Sequence, residues 1–201
     1  MQKKKLALFD FDHTISHKDS FLAFLLFSVN FIKLFFTMLV LSPVILAYLL
    51  KIINNEKAKS IVVSFLYRGW TAERFELMGR EFTDKVLPKI VMQSATDRIQ
   101  WHKNNGHTVY VVSASVDIWL RHWCSARDIG LICTKLEMKD NRFTGRFLTP
   151  NCYGPEKEKR IKAEINLAEY DYIYAYGDSR GDREMLAMAD EPFYRHFKYT
   201  K

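Results

Sequence analysis

The sequence predicts an α/β protein: a parallel sheet with helices packed on both faces. Three observations carry that prediction. Short apolar runs at residues 6–9, 107–112 and 172–176 have the length and composition of buried strands. Helical patterns separate them, and strand–helix alternation builds parallel sheets. Asp10, Ser113 and Asp178 each close one of these runs, and ligands in such folds collect beyond the C-terminal strand edges.

The elements follow in order. Leu6-Ala7-Leu8-Phe9 reads as the first strand, ending at Asp10. Asp19 or Ser20 caps the next helix. Residues 21–52 are overwhelmingly apolar, and two helices are expected there, with a break near Asn30 to Lys33 and a kink or early stop at Pro43. Asn54-Asn55 marks a turn, residues 57–67 read as helix, and Thr71 caps another that runs to Lys85. Residues 88–104 form an amphipathic helix that Asn105-Gly106 ends. The second strand, 107–112, leads to a helix at 117–127. Runs at 131–138 and 142–147 form a hairpin around Lys139-Asp140-Asn141. A helix at 156–169, the strand at 172–176, a short helix at 183–188 and a last strand at 192–194 complete the reading. No internal repeat or low-complexity segment interrupts it.

Composition narrows the function classes. A chain of 201 residues suits one domain, or one domain carrying a modest insertion. With 48% hydrophobic and 26% charged residues, it is not a disordered chain. The net charge of +7 favours anionic partners such as phosphorylated small molecules or acidic headgroups, with solubility alone as the plain alternative. The longest basic block is Lys3-Lys4-Lys5, so no nucleic-acid partner is expected. Cys124, Cys133 and Cys152 are odd in number and form no Cys-x-x-Cys. A disulfide framework and a zinc knuckle are therefore not expected, and reduced thiols fit the cytosol or a cytosolic membrane face. The opening residues lack the pattern of a secretory leader.

Four places carry chemistry. In Asp10-Phe11-Asp12-His13-Thr14, extended backbone turns Asp10 and Asp12 the same way. Two such carboxylates need a cation between them, a hard oxygen-binding one such as Mg²⁺, or a proton on one. Either suits catalysis; a strand end followed by an Asx turn is the plain alternative. Gly177-Asp178-Ser179-Arg180-Gly181-Asp182 places Asp178 to complete a carboxylate cluster, with Asp182 one helical turn on. Ser113 suits a phosphoryl oxygen, unless it or Ser115 only caps the next helix. Lys157 opposes the dipole of its helix, which neutralising an anionic site would justify; otherwise it is solvated among glutamates.

Taken in this order, these four elements resemble the haloacid dehalogenase superfamily of phosphohydrolases. The resemblance implies a three-layer Rossmann-like core, residues 1–16 and 85–201, with a helical and strongly apolar cap, residues 17–84, inserted after the first strand. It implies Asp10 as a nucleophile that forms an aspartyl-phosphate, and Asp12 as general acid, then base. It implies Mg²⁺ on the Asp10 carboxylate, the Asp12 backbone carbonyl and Asp178, supported by Asp182, and a phosphoryl group held by Ser113 and Lys157. Asp12 favours a phosphatase over a dehalogenase. His13 departs from the small residue usual in the family. It crowds the cap hinge, touches substrate, or merely packs.

Asp19-Ser20-Phe21, the apolar helices and Gly154-Pro155-Glu156-Lys157 look like one branch, subfamily IB, which contains phosphoserine phosphatase and phosphatidylglycerophosphatase C. This implies a lipid phosphate as substrate. The alternatives are a small-metabolite phosphatase and a non-catalytic membrane or anion-binding module on the same fold. A single membrane crossing by the uncharged stretch 34–50 would separate Asp10 from Ser113, Lys157 and Asp178. Two crossings need roughly 40 residues plus a turn. A hairpin in one leaflet or a cap packed on itself remains, with Lys33, Lys51, Lys57 and Lys59 placed to snorkel toward headgroups. The expected location is the cytoplasm, or the inner face of the cytoplasmic membrane as a peripheral or monotopic protein.

Overall fold

The computed structural model describes residues 4–197. Residues 1–3 and 198–201 of the expected core, with Lys3 of the basic triplet, lie outside the described residues. Strand β1 (Lys4–Phe9) is followed by helices α1 (Ser20–Ser28), α2 (Phe31–Val40), α3 (Ser42–Leu49), α4 (Asn55–Tyr67) and α5 (Ala72–Lys85). Then come α6 (Leu87–Ile90), α7 (Gln93–Asn104), β2 (Thr108–Val116), α8 (Asp117–Ser125) and β3 (Gly130–Thr134). The hairpin β4 (Leu136–Lys139) and β5 (Arg142–Phe147) leads to α9 (Pro155–Glu164), β6 (Tyr170–Gly177), α10 (Arg183–Ala187) and β7 (Glu191–Tyr194).

The main sheet has the order β3-β2-β1-β6-β7, and every pair is parallel. β1 is central, so Leu6, Ala7, Leu8 and Phe9 are all fully buried. Alternation sends Ala7 and Phe9 into the larger core on one face, and Leu6 and Leu8 into the smaller core on the other. That explains why the run is continuously apolar rather than alternating. From β1 the chain adds β2 and β3 on one side and then crosses over to add β6 and β7 on the other. The C-terminal edge between β1 and β6 is therefore the crevice where such sheets bind ligands.

Seven helices stand between β1 and β2, and the first five of them are α1 to α5. Phe24 of α1 stacks on Trp119 of α8 at 4.5 Å between ring centroids and meets Phe82 of α5 edge-on at 5.3 Å. Burying each such ring contributes about 1.5–3 kcal/mol. α5 crosses α8 at Gly79, where a Cβ would lie 2.3 Å from the Ile118 carbonyl oxygen. The β4–β5 hairpin leaves the main sheet and joins these helices: Gly69 N–H donates to the Phe143 carbonyl and Phe143 N–H to the Trp70 carbonyl, each at 2.9 Å.

Several boundaries differ from the sequence reading. Residues 21–52 form three helices, because Leu41 closes α2 and Pro43 sits in the first turn of α3, where its missing N–H loses no bond. Residues 88–104 are broken at Met92, whose N–H donates to the Ile15 carbonyl at 2.9 Å. Residues 131–138 divide between the main sheet and the hairpin. β2 continues past Ser113 to Val116, so Ser113 does not end its strand. α9 stops at Glu164, and a 3₁₀ turn covers Leu167–Glu169.

Among the described residues, no single helix is long and apolar enough to cross a membrane; α1 and α2 are bent 117° at their junction. The insert nevertheless leaves much apolar surface uncovered. Phe31 is 79% exposed and Ile52 71% exposed, and Ile32, Phe36, Leu49 and Leu50 are likewise exposed.

Candidate active site

The β1 strand delivers Asp10 to the sheet edge, where its backbone N–H donates to the Tyr176 carbonyl of β6 at 2.9 Å. A tight turn follows, with Thr14, Ile15 and Ser16 N–H groups all donating to the Phe11 carbonyl. His13 sits at φ 60° in this turn, a left-handed conformation uncommon for a side-chain-bearing residue. It is exposed and lines the cavity described below.

Asp10 Oδ1 accepts Lys157 Nζ at 2.6 Å, and the same ammonium donates to Asp182 Oδ1 at 2.6 Å. Lys157 is 1% exposed. It is thus a buried bridge and not a solvated lysine of the α9 surface. The other Asp182 oxygen accepts the Asp178 N–H, the Ser179 N–H and the Ser179 hydroxyl. Asp182 is fully engaged in holding its neighbours. Oxygens of Asp10, Asp178 and Asp182 lie within 4.8 Å of one another, a hard-donor set that fits Mg²⁺.

The electrostatics support that fit. Burial pushes the Asp10 carboxyl up to about 8, because Lys157 offsets the desolvation only in part. Burial, then the Asp182 charge, raises Asp178 as well. Burial would also raise Asp182, but the Lys157 ammonium and the Ser179 hydrogen bonds hold it below its ordinary value. Burial opposes the charge on Lys157, and its two carboxylates outweigh that and raise its pKa. One ammonium therefore neutralises too little of this cluster, and a bound cation would reverse the rise.

Asp12 lines the same cavity but stands outside that cluster of oxygens, with partners of its own. Its Oδ1 accepts the Ser20 N–H at 2.7 Å, at the start of α1, and its Oδ2 accepts the Ser115 hydroxyl at 2.6 Å. The Ser20 and Ser115 hydroxyls lie 3.3 Å apart, and Trp119 Nε1 donates to Ser20 Oγ at 3.1 Å. Burial, then the Asp19 charge, raises the Asp12 pKa despite these bonds. A carboxylic acid so placed can carry a proton.

Ser113 is fully buried, and its hydroxyl oxygen accepts the Ser115 N–H at 3.0 Å. Neither serine caps α8, whose N-cap residue is Val116. Ala114 and Ser115, but not Ser113, line the cavity of about 350 Å³ over the carboxylates. Asp10, Asp12, Asp178, Asp182 and Lys157 form its floor with Tyr153, and Phe21, Val44, Ile45, Tyr48 and Val62 wall it on the helical side.

Lys59 also lines this cavity. It does not snorkel outward: its Nζ donates to the Ala114 carbonyl at 2.7 Å and lies 4.6 Å from the Phe21 ring centroid. Sequence reasoning missed Lys59, and missed Ser20 and Ser115 as partners of Asp12. A signal existed for Lys59, which shares a face of α4 with buried Val63 and Leu66, four and seven residues on. For the serines there was none, since their meeting depends on the packing of α1 against β2.

The haloacid dehalogenase-like hydrolase profile matches residues 7–187. Protein CicA of Caulobacter vibrioides is 34% identical over 197 residues, which span 96% of this chain and 86% of CicA. A Mycobacterium tuberculosis protein named a "probable phosphatase" is 31% identical over 124 residues, 59% of this chain and 42% of that protein. Among solved structures, a protein of unknown function from Bordetella pertussis Tohama I superposes with a TM-score of 0.80 at 22% identity, over 94% of this chain and 88% of that one. A phosphoserine phosphatase captured as an analogue of its phospho-aspartyl intermediate superposes with a TM-score of 0.59 at 26% identity, over 94% of this chain and 84% of that one.

Proposed function

Because the chain belongs to the haloacid dehalogenase-like hydrolases and is a phosphatase, we propose that it hydrolyses phosphomonoesters through an aspartyl-phosphate on Asp10, with Mg²⁺ as cofactor. The observation that supports this reading best is the convergence of Asp10, Asp178, Asp182 and Lys157, distant in sequence, at one buried point.

In this mechanism an Asp10 oxygen forms a bond to phosphorus while the bond from phosphorus to the leaving oxygen breaks. Asp12, held apart on Ser20 and Ser115, gives its proton to that leaving oxygen. Water then attacks the same phosphorus, Asp12 takes a proton from it, and the Asp10–phosphorus bond breaks to release phosphate. Mg²⁺ would be held by Asp10, Asp178 and the Asp12 backbone carbonyl, with Asp182 as support, and would supply charge neutralisation at the phosphoryl oxygens. Lys157 would hold those oxygens, whereas the Ser113 hydroxyl, which accepts the Ser115 N–H, is set back from the cavity lining.

Domain roles follow. Residues 1–16 and 85–201 would be the catalytic core and residues 17–84 a substrate-selecting cap. The apolar cavity wall and the exposed apolar insert support a lipid phosphate, such as phosphatidylglycerophosphate, over a polar metabolite. The same surface supports contact with one leaflet of a membrane. Asp10→Asn tests the reading: the variant should keep its fold by circular dichroism and lose at least about 10³-fold in phosphate release from p-nitrophenyl phosphate with Mg²⁺. Retained turnover would remove Asp10 as nucleophile, and a wild type inert with every phosphate ester would return the chain to a binding role.

A further inference from the structure

Lys59 stands out among the charges of the cavity. Lys157 is committed to Asp10 and Asp182. Lys59, by contrast, has no carboxylate within ion-pair distance among the described residues; its described contacts are the Ala114 carbonyl and the face of Phe21. Nor does that carbonyl need it, since Thr134 Oγ1 also donates to Ala114 O, at 3.0 Å. An ammonium has three protons to donate, so two are left for a ligand. Burial lowers the Lys59 pKa against the attraction of Asp12 and Asp19, which marks a cation with incomplete neutralisation. Both Asp12 oxygens already hold their own donors, Ser20 and Ser115.

Position gives this cation its meaning. Ala114, its anchor, immediately precedes Ser115, which binds Asp12. In the phosphatase reading, on which this inference rests, Asp12 faces the leaving oxygen. Lys59 therefore lies on the leaving-group side, in a wall where Phe21, Val44, Ile45 and Tyr48 are apolar and Asp19, beyond ion-pair distance of Lys59, is the acidic member. An apolar wall alone would select an uncharged alkyl alcohol. A lone, partly buried ammonium within it rewards an anion that can accept its remaining protons.

We propose that Lys59 binds a second anionic group on the leaving alcohol, so that the preferred substrate is a phosphomonoester whose leaving group is both apolar and negatively charged. A carboxylate or a phosphodiester would satisfy the site equally in chemistry. The former belongs to small acids and the latter to lipid headgroups.

The test compares three substrates with Mg²⁺ present: hexyl phosphate, 6-phosphooxyhexanoate, and a dihexanoylglycerol phosphodiester bearing a terminal phosphomonoester. Wild type should favour at least one anionic substrate over hexyl phosphate by about tenfold or more in kcat/KM, the scale of one charge-assisted hydrogen bond. Which anionic substrate gains identifies the source of the charge. In Lys59→Met that preference should collapse, mainly through KM, and Lys59→Arg should restore it. Equal losses on all three substrates in Lys59→Met would make Lys59 a tie between insert and sheet and overturn the proposal. So would a wild type that treats them alike. A wild type that releases phosphate from none of the three would instead overturn the phosphatase reading itself. Lys59→Gln, which keeps a donor without the charge, should behave as Met does; full preference in that variant would also count against the proposal.

Discussion

His102 uses both ring nitrogens inside the core: Nε2 lies 2.9 Å from the Tyr176 hydroxyl and Nδ1 lies 2.8 Å from Nδ1 of His107. Phe9, Trp101 and Tyr174 surround it, and Arg98 donates to the same Tyr176 hydroxyl. Burial, then the His107 and Arg98 charges, pushes its pKa down to about 3 from 6.5. Below pH 6.5 the unfolded chain gains a proton here that the native chain refuses, so stability is lost as pH falls through that window. Between pH 8 and 5 the loss from this residue should be about 2 kcal/mol. Asp10, raised to about 8, acts in the opposite sense over much of the same range, so wild type alone would not isolate the histidine. The stability gap between wild type and His102→Gln does, because the carboxylates are common to both. Urea unfolding should show that gap narrowing toward pH 5. A gap independent of pH would mean that His102 titrates normally.

The crossing of α5 over α8 sets how the insert sits on the sheet, and it is made at Gly79. Helix propensity alone says that Gly79→Ala stabilises α5 by about 1 kcal/mol. The 2.3 Å approach to a backbone oxygen says that the helices must separate, which costs about 1–3 kcal/mol. The clash should win, and the urea midpoint of Gly79→Ala should fall; a raised midpoint would show that the two helices have room. This element also shows what sequence can and cannot tell. The central strand, its carboxylate and the Gly177–Asp182 loop were legible because their signals are local: a continuous apolar run, then glycine and aspartate at fixed offsets. The split at Met92 was not legible, because a hydrogen bond to Ile15 overrides a pattern that reads as one helix. The early stop before Pro43 was legible, but the third helix that starts there was not, since proline is a breaker within a helix and a favoured residue at the start of one. Lys157 on its own left two readings open, a charge serving an anionic site or a solvated lysine, and only Asp10 and Asp182, far away in sequence, decide between them.

Across the molecule, charge and apolar surface are arranged together. No acidic residue occurs between Asp19 and Glu56, while Lys33 and Lys51 lie among the exposed apolar side chains. If this face meets anionic lipid, wild type should co-sediment with phosphatidylglycerol-containing vesicles. A variant carrying Phe31→Ser, Ile32→Ser and Phe36→Ser should lose most of that binding, since three large side chains contribute several kcal/mol of interfacial burial. A wild type that stays in the supernatant would leave the apolar face without a lipid role. The sheet order has a different consequence, in time instead of space. β1 leaves the ribosome well before β6, one of its two neighbours, which begins at Tyr170. Until β6 has been made that edge stands unpaired, a hazard that calls for protection of the nascent chain. In the proposed reading the same delay would keep the site silent until β6 has docked, because only then does Asp10 meet Asp178 and Asp182.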